Sequence, residues 1–70
     1  MANRKDLIKK YQDIMKSHEV HLAKNNRSYG MYQSFNNQVA MDMMSREIVR
    51  NRGAITLCEN IISDLERLTV

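Results

Sequence analysis

Apolar residues, together with one histidine, recur at steps of three and four in the first third of the chain. They are Leu7, Ile8, Tyr11, Ile14, Met15, His18 and Leu22. This spacing places side chains on one face of an α-helix, and Lys9 and Lys16 fall on the opposite face. Asn3 and Asp6 resemble a capping box, in which each side chain accepts from the backbone N–H of the other residue. The pattern predicts a helix over about 4–25.

The apolar spacing is then interrupted by the segment Asn25-Asn26-Arg27-Ser28-Tyr29-Gly30. Asparagine and glycine both adopt the left-handed conformation that ends many helices. We therefore expect a loop at about 26–33.

A second row of apolar residues follows and is more regular than the first. Its steps alternate between three and four, as in the heptads of a coiled coil, with a polar Asn51 at one core position. We call its seven apolar members the seam: Met41, Met44, Ile48, Ile55, Cys58, Ile62 and Leu65. The seam is expected to form either a dimer interface or the core of one chain, and its spacing suits a single helix of about 35 residues.

The alternative is a break at Gly53. This glycine would cap one helix in the left-handed conformation, and Thr56 with Glu59 would form a capping box for the next. Glycine inside a helix costs only about 1 kcal/mol relative to alanine, so Gly53 alone does not decide. We favour the break, with helices over about 34–52 and 54–68. The predicted fold is therefore all-α, a helical hairpin or three-helix unit in one small domain over 1–70 that dimerises through the seam.

The middle of the chain has apolar residues on more than one side of the predicted helix. The second stripe consists of Tyr32, Phe35, Val39 and Met43. A helix with so wide an apolar surface is usually contacted from two directions. We therefore predict that these four residues bind a protein partner or a second subunit.

Length and cysteine content also favour association. The hydrophobic core of a 70-residue chain seldom contributes more than a few kcal/mol of net stability, and small domains usually add disulfides, a metal or a partner. The single Cys58 excludes an internal disulfide and a thiolate cluster. The charged N-terminus lacks the apolar core of a secretory signal, and no apolar run approaches the roughly 18 residues of a membrane span. We expect a cytoplasmic protein without a membrane segment.

Candidates for chemistry are few. His18 and His21 are three residues apart without an evident third ligand, and Cys58 lies beside acidic Glu59 rather than beside a base. Two glycines are too few for a phosphate-binding loop. We predict no catalytic residue, no metal, no cofactor and no small-molecule substrate, and hence no enzyme.

The formal charge of +3 permits nucleic-acid binding without demanding it. Arg46, Arg50 and Arg52 precede Gly53, as in a helix-turn-helix, but the following segment is mostly apolar and acidic. The expected function is that of a small protein-binding regulator or inhibitor, of the kind encoded by bacteria, plasmids and phages. The alternative is a dimeric transcriptional regulator that binds nucleic acid through these three arginines.

Overall fold

The protein is a hairpin of two long antiparallel helices. A computed structural model describes residues 3–68, with helix α1 over Arg4–Ser34 and helix α2 over Gln38–Arg67. The hairpin is a rod of 54 × 15 × 14 Å. The prediction of an all-α fold is confirmed. Of the two predicted architectures the hairpin is correct and the three-helix unit is wrong, whereas dimerisation remains a prediction.

Helix α1 begins with the predicted capping box. The backbone N–H of Asp6 donates to Oδ1 of Asn3 at 3.0 Å, and the N–H of Asn3 donates to Oδ2 of Asp6 at 3.4 Å. The carboxylate also lies in the first turn, where the helix dipole favours negative charge. The start of the helix is thus fixed by two side chains that satisfy backbone donors.

The predicted loop at 26–33 is wrong, because helix α1 continues through this segment to Ser34. The steps of three and four continue across it with Asn25, Tyr29 and Tyr32, and all three side chains are half-buried. Gly30 lies on the exposed side, where it costs about 1 kcal/mol relative to alanine. Packing along the whole row outweighs that cost, so the helix does not end at 25.

The turn between the helices occupies residues 35–37 and contains neither glycine nor proline. The N–H of Asn36 donates to the carbonyl of Gln33 at 3.1 Å, and the N–H of Asn37 donates to that of Tyr32 at 3.0 Å. This pair of bonds is a Schellman motif, which requires a left-handed residue after the C-cap. Asn36 supplies it with φ 54°, a conformation that asparagine tolerates better than most residues.

Asn37 belongs to both helices. Its backbone N–H closes the end of α1, while its side chain accepts from the N–H of Ala40 at 3.2 Å and caps the start of α2. Three residues therefore suffice to reverse the chain.

Helix α2 runs without interruption through Gly53, so the favoured break into helices over 34–52 and 54–68 is wrong. Thr56 and Glu59 are exposed within the helix and do not begin a new one. The continuous seam explains this result, since a break at Gly53 would separate Ile48 from Ile55 and forfeit their packing along α1.

The core is narrow. Asn51, Cys58 and Ile62 are the only buried residues among those described, and none of them lies on α1. Nδ2 of Asn25 donates to Oδ1 of Asn51 at 2.7 Å across the two helices. This bond fixes the register, so that residues whose numbers add up to about 76 lie at the same level along the rod.

Candidate interaction surfaces

The seam lies between the two helices. Cys58 and Ile62 are buried, and the other five members, Met41, Met44, Ile48, Ile55 and Leu65, are half-buried. The matching row of α1 is half-buried at the corresponding levels. The seam therefore packs against α1 within one chain.

Of the four residues predicted to bind a partner, three are strongly exposed near the turn. The exposed fractions are 74% for Phe35, 72% for Val39 and 57% for Met43, whereas Tyr32 is half-buried on the inner row of α1. Met31 of α1 is exposed at the same end of the rod. We call the exposed residues Met31, Phe35, Val39 and Met43 the tip patch. Met31 was not among the four residues predicted to bind a partner.

The three candidate arginines are exposed but do not form one cluster. Arg46 and Arg50 are four residues apart and share one face of α2. Arg52 lies about 200° around the helix from Arg50 and faces another side. Nη1 of Arg50 also pairs with Oε1 of Glu47 at 3.0 Å. The helix-turn-helix considered from the sequence is wrong, because α2 contains no turn at Gly53.

The two histidines have different environments. His21 is exposed, whereas His18 is half-buried and its Nδ1 atom is buried without a hydrogen-bond partner. The register places His18 at the level of Cys58. Over residues 3–68 no three side chains of His, Cys, Asp or Glu come together as a metal site, and this part of the chain encloses no pocket.

The two broad sides of the hairpin differ in polarity. Leu7 and Ile14 lie one position before Ile8 and Met15 of the inner row of α1. Ala54 and Ile61 lie one position before the seam residues Ile55 and Ile62 of α2. In an antiparallel pair these flanking positions lie on the same side of the rod. All four are half-buried. Leu57, four residues before Ile61 and 60% exposed, extends the same side.

We call these five residues the flank surface. The opposite broad side carries the exposed apolar Val49 and six exposed polar residues at flanking positions: Lys5, Gln12, Glu19, Arg52, Glu59 and Glu66. Sequence analysis missed the flank surface because it appears only when both helices are continuous and their register is known.

Comparison with protein-family models, with curated proteins and with solved structures gives no match. Within residues 3–68, neither helix combines the length and the apolar character needed to cross a membrane. The surfaces of the hairpin are therefore the basis of the functional argument.

Proposed function

We propose that this protein is a small non-enzymatic regulator or inhibitor that binds a larger protein through the tip patch. The observation that supports the proposal is the concentration of exposed apolar side chains at one end of the rod. Methionines adapt to irregular surfaces, and a protruding phenylalanine is a typical anchor for a pocket. Exposed apolar clusters of this kind often mark interaction sites.

The surroundings of the tip patch indicate the chemistry of the partner. Val39, Met43, Arg46 and Arg50 follow one another at steps of four, three and four, and all are exposed. They form one stripe on α2 that is apolar near the turn and basic further along. The matching surface is an apolar groove with an acidic rim, into which a helix inserts its face.

The proposal is tested with the double variant Val39→Glu/Met43→Glu. Both side chains are largely exposed, so we expect the hairpin to stay folded and partner binding to be lost. Val49→Glu is the matched control, since Val49 is a 69% exposed apolar residue of the same helix outside the tip patch. Immobilised wild-type protein and both variants are compared for the proteins they retain from an extract of the source cells.

A partner held by wild type and by Val49→Glu, and lost by the double variant, is then purified and titrated by calorimetry, and its own activity is measured with and without the hairpin. Saturable binding that changes this activity supports the proposal. Identical retention by all three proteins, or a purified partner that does not bind, would rule it out.

The alternative of nucleic-acid binding is favoured by one observation, the adjacent exposed Arg46 and Arg50 on the same stripe. Binding through these arginines would weaken steeply with added salt, whereas apolar binding through the tip patch would be much less sensitive. Titration of a random DNA duplex and a random RNA against wild type and Arg46→Glu separates the two functions. Salt-sensitive binding that Arg46→Glu abolishes would favour the alternative.

A further inference from the structure

We infer that the flank surface is covered by a second copy of this chain, in a four-helix dimer whose two turns lie at the same end. The two-fold axis runs along the rod, and α1 of one copy packs beside α2 of the other. The dimer predicted from the sequence used the seam, which is now seen inside the hairpin. The structure assigns the contact to Leu7, Ile14, Ala54, Leu57 and Ile61 instead.

The exposed area of the hairpin supports this inference. The chain exposes 5606 Å², whereas a compact monomer of 8.2 kDa exposes about 4,500 Å². The excess of about 1,100 Å² is comparable with the roughly 800 Å² that each partner buries in a standard interface. A rod with three buried residues in its described part has little core of its own, and association is the usual remedy in so small a chain.

The polarity of the two broad sides selects the face. Core-facing helices of a four-helix bundle carry apolar residues at the two core positions and at one flanking position, whereas a lone coiled-coil pair uses the core positions only. Both helices of this hairpin have the wider pattern, and both have it on the same side. The opposite side carries six exposed polar residues and a single exposed valine, Val49, and remains in water.

The distribution of apolar residues along the rod indicates how the two copies are oriented. The flank surface lies toward the chain ends, while near the turn the same side presents the polar Ser28 and Glu47 together with Ala40 and Met43. Two copies with their turns at the same end place flank surface against flank surface. With the turns at opposite ends, the flank surface would face Ser28 and Glu47 of its neighbour and bury less apolar area.

Charge supports the same orientation. Lys10 and Asp64 are exposed beside the flank surface, one on each helix. With the two turns at the same end, Lys10 of one copy and Asp64 of the other are offset along the rod by no more than about one helical turn. Within residues 3–68, Asp64 pairs with Nη1 of Arg67 at 4.0 Å, and both side chains are largely exposed.

The first test is the mass in solution, measured by light scattering and sedimentation over a dilution series. We expect wild type to have twice the mass of the 8.2 kDa chain. Leu57→Glu should weaken the dimer by at least tenfold, and Val49→Glu should not. Val49 is the matched control because it lies about 80° around α2 from Leu57, toward the polar side. Far-UV circular dichroism checks that both variants remain helical.

A monomeric wild type, or a dimer that Leu57→Glu leaves intact, would overturn the inference. The result is independent of the proposed function, because Leu57 lies in the half of the rod away from the tip patch. Tip variants that keep their partner while Leu57→Glu still disrupts the dimer would overturn the proposed function alone, and a monomeric wild type that still loses its partner on substitution of the tip patch would overturn the dimer alone.

The second test is the orientation. Lys10→Asp and Asp64→Lys should each weaken the dimer, and the combined exchange should restore it. A spin label on Gln33→Cys, introduced with Cys58→Ala, gives an independent distance near the turn. A distance between the two labels well below 54 Å, which is the length of the rod, supports a dimer with both turns at the same end. A distance approaching that length, or no rescue by the exchange, would overturn this orientation.

Discussion

Replacing one asparagine of the pair between the helices is expected to destabilise the hairpin more than replacing both. Asn51 is 8% exposed, and its Oδ1 accepts from Nδ2 of Asn25 at 2.7 Å. Asn25→Leu leaves this oxygen buried without its donor, which costs about 1–3 kcal/mol. Asn25 is only half-buried, so Asn51→Leu leaves an amide that water still reaches, and its cost lies near the lower end of that range.

The double variant Asn25→Leu/Asn51→Leu removes both polar groups and adds apolar area at the same level of the core. We expect its free energy of unfolding to lie within about 1 kcal/mol of wild type or above it. The coupling energy of the cycle is then about 2 kcal/mol, typical of residues in direct contact. At roughly 4–8 °C for each kcal/mol in a domain of this size, the less stable single variant melts on the order of 10 °C lower.

The free energies are obtained by urea unfolding followed by circular dichroism, at one protein concentration because the dimer inferred above would make stability depend on concentration. Asn26→Leu is the control, since Asn26 is exposed beside Asn25 and its replacement should change stability by no more than about 0.5 kcal/mol. Additive single effects, or a double variant as unstable as Asn25→Leu, would refute the reasoning.

Three further predictions concern the ends and continuity of the helices. Gly30→Ala and Gly53→Ala should each stabilise the protein by about 1 kcal/mol in thermal unfolding, because a Cβ meets nothing within 4 Å at either position; a loss at Gly53 would indicate a break in α2. Asn36→Val should destabilise by about 1–2 kcal/mol at its positive φ, and Asn36→Gly should be tolerated; equal effects in urea unfolding would argue against the left-handed turn. Asn3→Ala should cost about 1 kcal/mol and increase amide exchange in the first turn, whereas unchanged exchange there would contradict the capping box.

The sequence predicted the fold class, the starting cap and the inner row of α2, since these depend on local spacing and on side chains a few residues apart. It failed at Asn25 and Gly30, where polar and flexible residues suggested a loop. Asn25 is satisfied by a partner 26 residues away, which no local pattern reveals. The true turn depends on Asn36, one residue in the left-handed conformation among several asparagines in the chain.

The interaction surfaces were predicted less well than the fold, for a related reason. Val39 and Met43 were found because they lie on a second stripe of one helix. Leu7 and Ile61 share a surface only because the two helices are antiparallel and in a defined register. A surface composed of residues more than 50 positions apart becomes visible once the pairing of the helices is known.

The short turn at residues 35–37 also predicts the order in which the hairpin forms. Pairs near the turn, such as Tyr32 with Met44, are separated by about a dozen residues, whereas Nη1 of Arg4 donates to the carbonyl of Leu68 across 64 positions. The entropy lost on closing a segment grows with its length, so we expect the helices to pair from the turn toward the chain ends. The ends are then the last to close and the first to open. A second copy bound to this half of the rod would slow unfolding, because it would stabilise the part of the lone hairpin that opens first.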